Sequence, residues 1–227
     1  MTPTRFVLWD IDGTLLDAKG YGWRLADRAF QQLYGRPLVH LVPMAGRTDR
    51  AIMTDVLDRH DVPDTPDDLI ALMESLAPAA DDFHTHGGTM LPGADAAIRA
   101  LTAHPSVVQS VLTGNLGPVA AAKLAAVGLG AGLDLTVAAY GRDHAVRADL
   151  VTVARTALAR LHPASTGITT ILIGDTPLDI EAAHAAGARA IAVATGRYPA
   201  AALAAADLVL PDLTDTKSLV EAVLAEA

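Results

Sequence analysis

Two carboxylates stand two residues apart in Asp10-Ile11-Asp12-Gly13-Thr14, directly after the apolar run Phe6-Val7-Leu8-Trp9. In an extended chain, residues i and i+2 face the same side. A buried strand ending here would therefore present both acids about one phosphoryl group apart, with Gly13 permitting a sharp exit. One acid can attack phosphorus in line while the other protonates the departing oxygen. Asp-Gly is also an ordinary turn dipeptide, and a motif this short arises by chance.

A second acidic group follows another apolar run, in Ile171-Leu172-Ile173-Gly174-Asp175-Thr176-Pro177-Leu178-Asp179. Pro177 suits the first position of a helix, which makes Thr176 the N-cap and places Asp179 where a capping box needs an acid. Asp175 has no such structural duty. A carboxylate at a strand end facing Asp10 suits shared binding of a hard cation such as Mg²⁺. The third group is Thr113-Gly114-Asn115 after Val111-Leu112, a hydroxyl and backbone N–H groups able to hold phosphate oxygens. Alone, it is an ordinary strand-to-loop turn.

These groups need a sheet to bring them together. Apolar runs at residues 5–9, 107–112, 135–139, 169–173, 189–193 and 208–210 read as strands. Amphipathic helices are predicted over 94–103, 118–127, 149–161, 178–186 and 217–225, with Gly128 and Gly187 as stops. The alternation predicts an α/β fold with a doubly wound, Rossmann-like parallel sheet, whose ligands bind at the carboxyl ends of strands. Residues 17–90 break the pattern with three helical segments (23–34, 49–60 and 67–83) and no strand. The chain thus divides into an α/β core, residues 1–16 and 91–227, and an inserted helical cap, residues 17–90. Gly87-Gly88 and Leu91-Pro92-Gly93 read as its hinge.

The ordered set Asp-x-Asp-Gly-Thr, Thr-Gly-Asn and Gly-Asp-x-x-x-Asp, with a helical insert after the first motif, resembles the haloacid dehalogenase-like hydrolases. The likeness is to the helical-cap branch that includes phosphoglycolate phosphatase-like proteins. It implies that Asp10 is a nucleophile forming an aspartyl phosphate and Asp12 a general acid/base. It further implies that Thr113, Gly114 and Asn115 bind the phosphate. Mg²⁺ would be held by Asp10, Asp175 and the main-chain carbonyl of Asp12, with Asp179 and Thr14 behind them. The family's usual lysine ahead of the last acidic motif is missing; Arg147, in the segment Gly141-Arg142-Asp143-His144-Ala145-Val146-Arg147, is its best replacement. Lys123 lies roughly 7–8 Å along the helix that begins near Pro118. Among Ala120, Ala121 and Leu124 it reads as a snorkelling surface lysine.

Gly46-Arg47-Thr48-Asp49 reads as a helix start capped by Thr48. The family likeness offers a second role for Arg47, binding another anionic group of the substrate. Trp23, Phe30 and Tyr34 read as core of the insert, and His84-Thr85-His86 as a solvated linker. The implied activity is a phosphatase acting on a small phosphorylated metabolite. A β-phosphoglucomutase-like phosphomutase, a 2-haloacid dehalogenase and a non-catalytic binding protein remain as alternatives.

Composition narrows the classes further. With 17 Lys+Arg against 26 Asp+Glu, the 227-residue chain carries a net charge of −9, which argues against general nucleic-acid binding. A hydrophobic fraction of 51% and a mean hydropathy of +0.31 suit a large core. The absence of cysteine excludes a disulfide framework and thiolate chemistry. The apolar stretches are too short for a signal peptide or a membrane span. A soluble, cytoplasmic protein is expected.

Overall fold

The computed structural model describes residues 4–77, 83, 88–163 and 167–225. Its centre is β1 (Arg5–Trp9), whose last four residues are fully buried. Because successive side chains alternate, Phe6 and Leu8 pack on one face of the sheet while Val7 and Trp9 pack on the other. Burial on both faces requires neighbours on both edges. β4 (Val107–Thr113) and β6 (Thr169–Gly174) supply them, both parallel to β1. β5 (Ala139–Tyr140) extends the sheet beyond β4; β7 (Arg189–Val193) and β8 (Leu208–Leu210) extend it beyond β6. The resulting order is β5-β4-β1-β6-β7-β8, parallel throughout. The chain first builds outward from β1 through β4 to β5, then returns to start again at β6. The carboxyl ends of β1, β4 and β6 therefore meet at a topological switch point.

Helices cover both faces. α6 (Arg147–Leu161) and α7 (Pro177–Ala185) bury Leu150, Val151, Ala154, Leu158, Ile180 and Ala183 against the Phe6 and Leu8 face. α4 (Ala94–Thr102), α5 (Gly117–Ala126) and α8 (Thr216–Leu224) pack on the Val7 and Trp9 face. The expected α/β fold with a doubly wound parallel sheet is thus observed. Most boundaries fall within a residue or two of those read from the sequence.

The inserted segment carries α1 (Tyr21–Tyr34), α2 (Asp49–Arg59) and α3 (Pro66–Leu76). Their apolar residues, including Leu25, Phe30, Ile52, Met53, Leu69 and Met73, belong to the same hydrophobic cluster as Trp9 and Ile11. The insert and one sheet face therefore share a core.

Three expectations need correction. The segment 135–139 is not a strand: Leu135–Val137 forms a 3₁₀ turn, because Asp134 caps it by accepting the Thr136 N–H at 3.0 Å. Only Ala139–Tyr140 pairs with β4. The stretch 17–90 is also not free of strands. β2 (Leu16–Asp17) and β3 (Thr89–Met90) form an antiparallel ribbon at the two ends of the insert. A two-residue pairing across that sequence distance leaves no periodic signal. Finally, α3 ends at Leu76, and His84 and His86 lie outside the described residues.

Candidate active site

Asp10 immediately follows β1, and its N–H donates to Ile173 O at 2.8 Å, which ties it to the end of β6. Its carboxylate is nearly buried and pairs with Arg147, whose guanidinium lies 2.5 Å from Asp10 Oδ1 and 2.6 Å from Asp179 Oδ1. Arg147 is the first residue of α6 and is itself buried. Burial works against its charge, but Asp179 and Asp10 outweigh that penalty and raise its pKa further.

Asp175 follows β6 in a tight seat. Gly13, at φ +87°, crosses beside it so closely that a Cβ there would lie 2.4 Å from Asp175 Oδ2. The left-handed backbone and the missing side chain are both required at Gly13. Thr14 Oγ1 donates to Asp175 Oδ1 at 3.3 Å. Thr176 and Asp179 form the expected capping box at the start of α7. That box occupies Asp179 Oδ2 and leaves buried Oδ1 without a hydrogen bond, although it faces Arg147.

Carboxylate oxygens of Asp10, Asp175 and Asp179 all lie within 4.8 Å of one another. Burial raises Asp10 to about 7, with Asp179 and Asp12 adding to the rise against Arg147. Burial, then Asp10 and Asp179, raise Asp175 to about 8. Burial and mutual repulsion thus disfavour the charged forms of Asp10 and Asp175, and a hard divalent cation would offset that repulsion. An all-oxygen donor set of three buried carboxylates fits such an ion. The Asp12 carboxylate is turned away from this cluster.

Its partner is instead Lys123, whose Nζ lies 2.8 Å from Oδ1 and 2.7 Å from Oδ2 of Asp12 and 2.6 Å from Asn115 Oδ1. Asn115 Nδ2 donates to Asp12 Oδ2 at 2.6 Å and to Thr113 Oγ1 at 2.7 Å. The surface reading of Lys123 is therefore wrong: the residue is 2% exposed. A helical side chain leans back toward the N-terminus, so distance along the axis does not keep Nζ from the phosphate-binding end. Val119 and Ala120, one turn earlier, are buried with it, and the ammonium meets Asp12 and Asn115. Val119, four residues earlier on the same helix face, is buried as well, but an apolar face alone does not distinguish a buried ion pair from a snorkelling stem.

Thr113 ends β4, buried. Its oxygen accepts from the Asn115 N–H at 3.2 Å as well as from the Asn115 amide, so its own proton remains available. Gly114 permits close contact with the insert. A Cβ there would lie 1.9 Å from Arg47 O, and Gly114 O accepts the Asp49 N–H at 2.7 Å. Asp49 Oδ2 in turn accepts the Leu116 N–H at 3.1 Å, Arg50 N–H donates to Gly141 O, and Thr48 Oγ1 donates to Ala145 O. An acid in the first turn of a helix is ordinary, so the sequence does not mark Asp49 for this contact. Burial raises its pKa to about 6, opposed chiefly by Lys123.

Arg47 is held by Asp55 at 2.8 Å and by the carbonyls of Pro43 and Ala51. Phe30 is buried in the insert, where its ring packs on Tyr34, whereas Trp23 is only partly buried and lines the cavity. That cavity, of about 600 Å³, brings together Asp10, Asp12, Thr113, Gly114, Asn115, Lys123, Arg147, Asp175 and Arg47.

A parallel α/β sheet with paired aspartates and a buried arginine at its carboxyl edge defines a protein whose chemistry lies at the switch point. The chain belongs to the haloacid dehalogenase-like hydrolase family, whose profile matches residues 7–184. No curated protein sequence matches it significantly. Its fold resembles a hydrolase from Pseudomonas syringae at TM-score 0.66 and 20% identity, covering 98% of this chain and 100% of that one. It also resembles a predicted phosphoglycolate phosphatase from Haemophilus somnus (TM-score 0.64, 16% identity, 97% and 99% covered). A proposed β-phosphoglucomutase from Thermotoga maritima gives TM-score 0.59 at 17% identity, with 97% and 100% covered. Among the described residues, no helix is long and apolar enough to cross a membrane.

Proposed function

We propose that the protein is a Mg²⁺-dependent phosphatase that hydrolyses a small phosphomonoester through an aspartyl phosphate on Asp10. The observation that carries this reading is the opposed setting of the two aspartates. Asp10 faces Arg147 and the acidic cluster, while Asp12 is directed to a lysine and an amide across the same cavity. One carboxylate is thus placed with cations that stabilise charge on phosphorus, and the other is free of the cluster for proton transfer.

Asp10 Oδ attacks phosphorus, and the bond from phosphorus to the ester oxygen breaks as Asp12 donates a proton to that oxygen. Asp12 then takes a proton from water as the water attacks phosphorus and Asp10 departs. The Thr113 hydroxyl and the Gly114 N–H donate to phosphate oxygens. Asn115 holds Thr113 and Asp12 in place, and Arg147 fixes Asp10. Asp10, Asp175 and the Asp12 main-chain carbonyl would hold Mg²⁺, with Asp179 beside them. Bound there, the ion neutralises the phosphate dianion and polarises phosphorus. The helical insert serves as a lid over the cavity, and Arg47 meets a second anionic group of the substrate only by leaving its present partners.

A panel of phosphorylated small metabolites with Mg²⁺, read by release of inorganic phosphate, tests the proposal. Release that stops in excess EDTA and resumes with Mg²⁺ is expected. Undiminished turnover in EDTA would refute it. Transfer between positions of a sugar phosphate without free phosphate would make the protein a mutase.

A further inference from the structure

A carboxylate on a loop after a strand can rotate about its own side chain, and proton transfer needs it held at one place. Asp12 is such a group, partly exposed toward the cavity. Three acceptor oxygens surround Lys123 Nζ at 2.6–2.8 Å, two from Asp12 and one from Asn115. An ammonium has three protons, so this arrangement uses all of them. Asn115 closes the triangle by donating to Asp12 Oδ2. The lysine itself cannot wander. It is almost fully buried in α5, and its Nζ lies 6.0 Å from the ring of Tyr21 in the insert.

We infer that Lys123 is a positioning residue that, with Asn115, holds the Asp12 carboxylate in place for proton transfer to the leaving group. This inference rests on the phosphatase reading for its chemical consequence, but the tie itself does not depend on that reading. With its three Nζ bonds going to Asp12 and Asn115, Lys123 has no proton left for a substrate oxygen. Its loss should therefore spare KM and lower kcat, and most for esters whose leaving oxygen needs a proton.

The test compares wild type, Lys123→Met, Lys123→Arg, Asp12→Asn and the double variant Lys123→Met/Asp12→Asn. Substrates are p-nitrophenyl phosphate, whose leaving group needs little protonation, and an alkyl phosphate. Lys123→Met should lose about tenfold or more additional kcat on the alkyl ester relative to the aryl ester, with KM little changed. Lys123→Arg should recover part of that loss, and the double variant should be no worse than Asp12→Asn alone. Equal losses on both esters, or losses that multiply in the double variant, would overturn the inference. A crystal structure of Lys123→Met gives a readout independent of turnover. Displacement of the Asp12 carboxylate is expected, and an unmoved carboxylate would overturn the inference. If wild type releases no phosphate from any ester, the phosphatase reading fails, and the displacement alone decides whether Lys123 holds Asp12.

Discussion

Arg147 shows how one residue can be constrained from several sides. Its guanidinium bridges Asp10 and Asp179, and its burial leaves no water to take either partner's place. Removing a buried charge from such a pair leaves carboxylates uncompensated, which costs about 3–5 kcal/mol. Arg147→Ala should therefore be both less stable and severely impaired in phosphate release. Arg147→Lys restores one charge without the planar fork that spans two acids, so partial recovery is expected. Thermal denaturation alongside kcat measures both effects. Near-normal turnover in Arg147→Ala would show that Asp10 needs no fixed cation. At the same scale, Asp10→Asn should accumulate no acid-stable phosphoenzyme from labelled substrate. Labelling equal to wild type would place the nucleophile elsewhere.

At the level of elements, the start of α2 is tied to the core through its backbone. The Asp49 N–H on Gly114 O, the Arg50 N–H on Gly141 O and the Arg47 carbonyl against Gly114 Cα leave no room for a methyl group. Gly114→Ala should push α2 away. A loss of about 1–3 kcal/mol in stability is expected, with a raised KM. Unchanged melting and kinetics would show that the contact yields without cost. Asp49 gives a second prediction, from its raised pKa of about 6. An acid whose folded pKa exceeds its unfolded value binds more protons when folded, so stability falls as pH rises through that interval. The interval here runs from the ordinary value of 3.8 to about 6, and its full cost is on the order of 3 kcal/mol. Asp49→Asn keeps an acceptor for the Leu116 N–H and carries no charge. Its melting temperature relative to wild type should rise between pH 4 and pH 7. A constant difference would show that Asp49 is not penalised by burial.

For the whole molecule, the insert and the sheet share one hydrophobic cluster, and the antiparallel ribbon of β2 and β3 links them. Movement of the proposed lid would bend at that ribbon and break the polar contacts of α2, since a packed core resists continuous deformation. Hydrogen exchange at the amides of Asp49, Arg50 and Leu116 should slow when Mg²⁺ and phosphate are added, while β1, β4 and β6 stay unchanged. Identical exchange with and without those additions would mean that the insert does not respond to the site.

What the sequence by itself determined follows from local rules. Two-residue alternation set the faces of β1, strand and helix periods set the parallel α/β order, and Pro177 with Thr176 and Asp179 set the cap of α7. The three acidic and hydroxyl motifs were legible for the same reason: each ends its own strand, and parallel strands bring such ends together. Tertiary structure decided the rest. The ribbon at Leu16–Asp17 and Thr89–Met90 pairs residues too few and too far apart to leave a pattern. The apolar setting of Lys123 fits a surface stem or a buried ion pair equally well. Only the approach of α5 to the end of β1, which places Asp12 within reach of Nζ, selects between them. A charge takes whichever partner lies nearest in space, and position in space depends on how the elements pack.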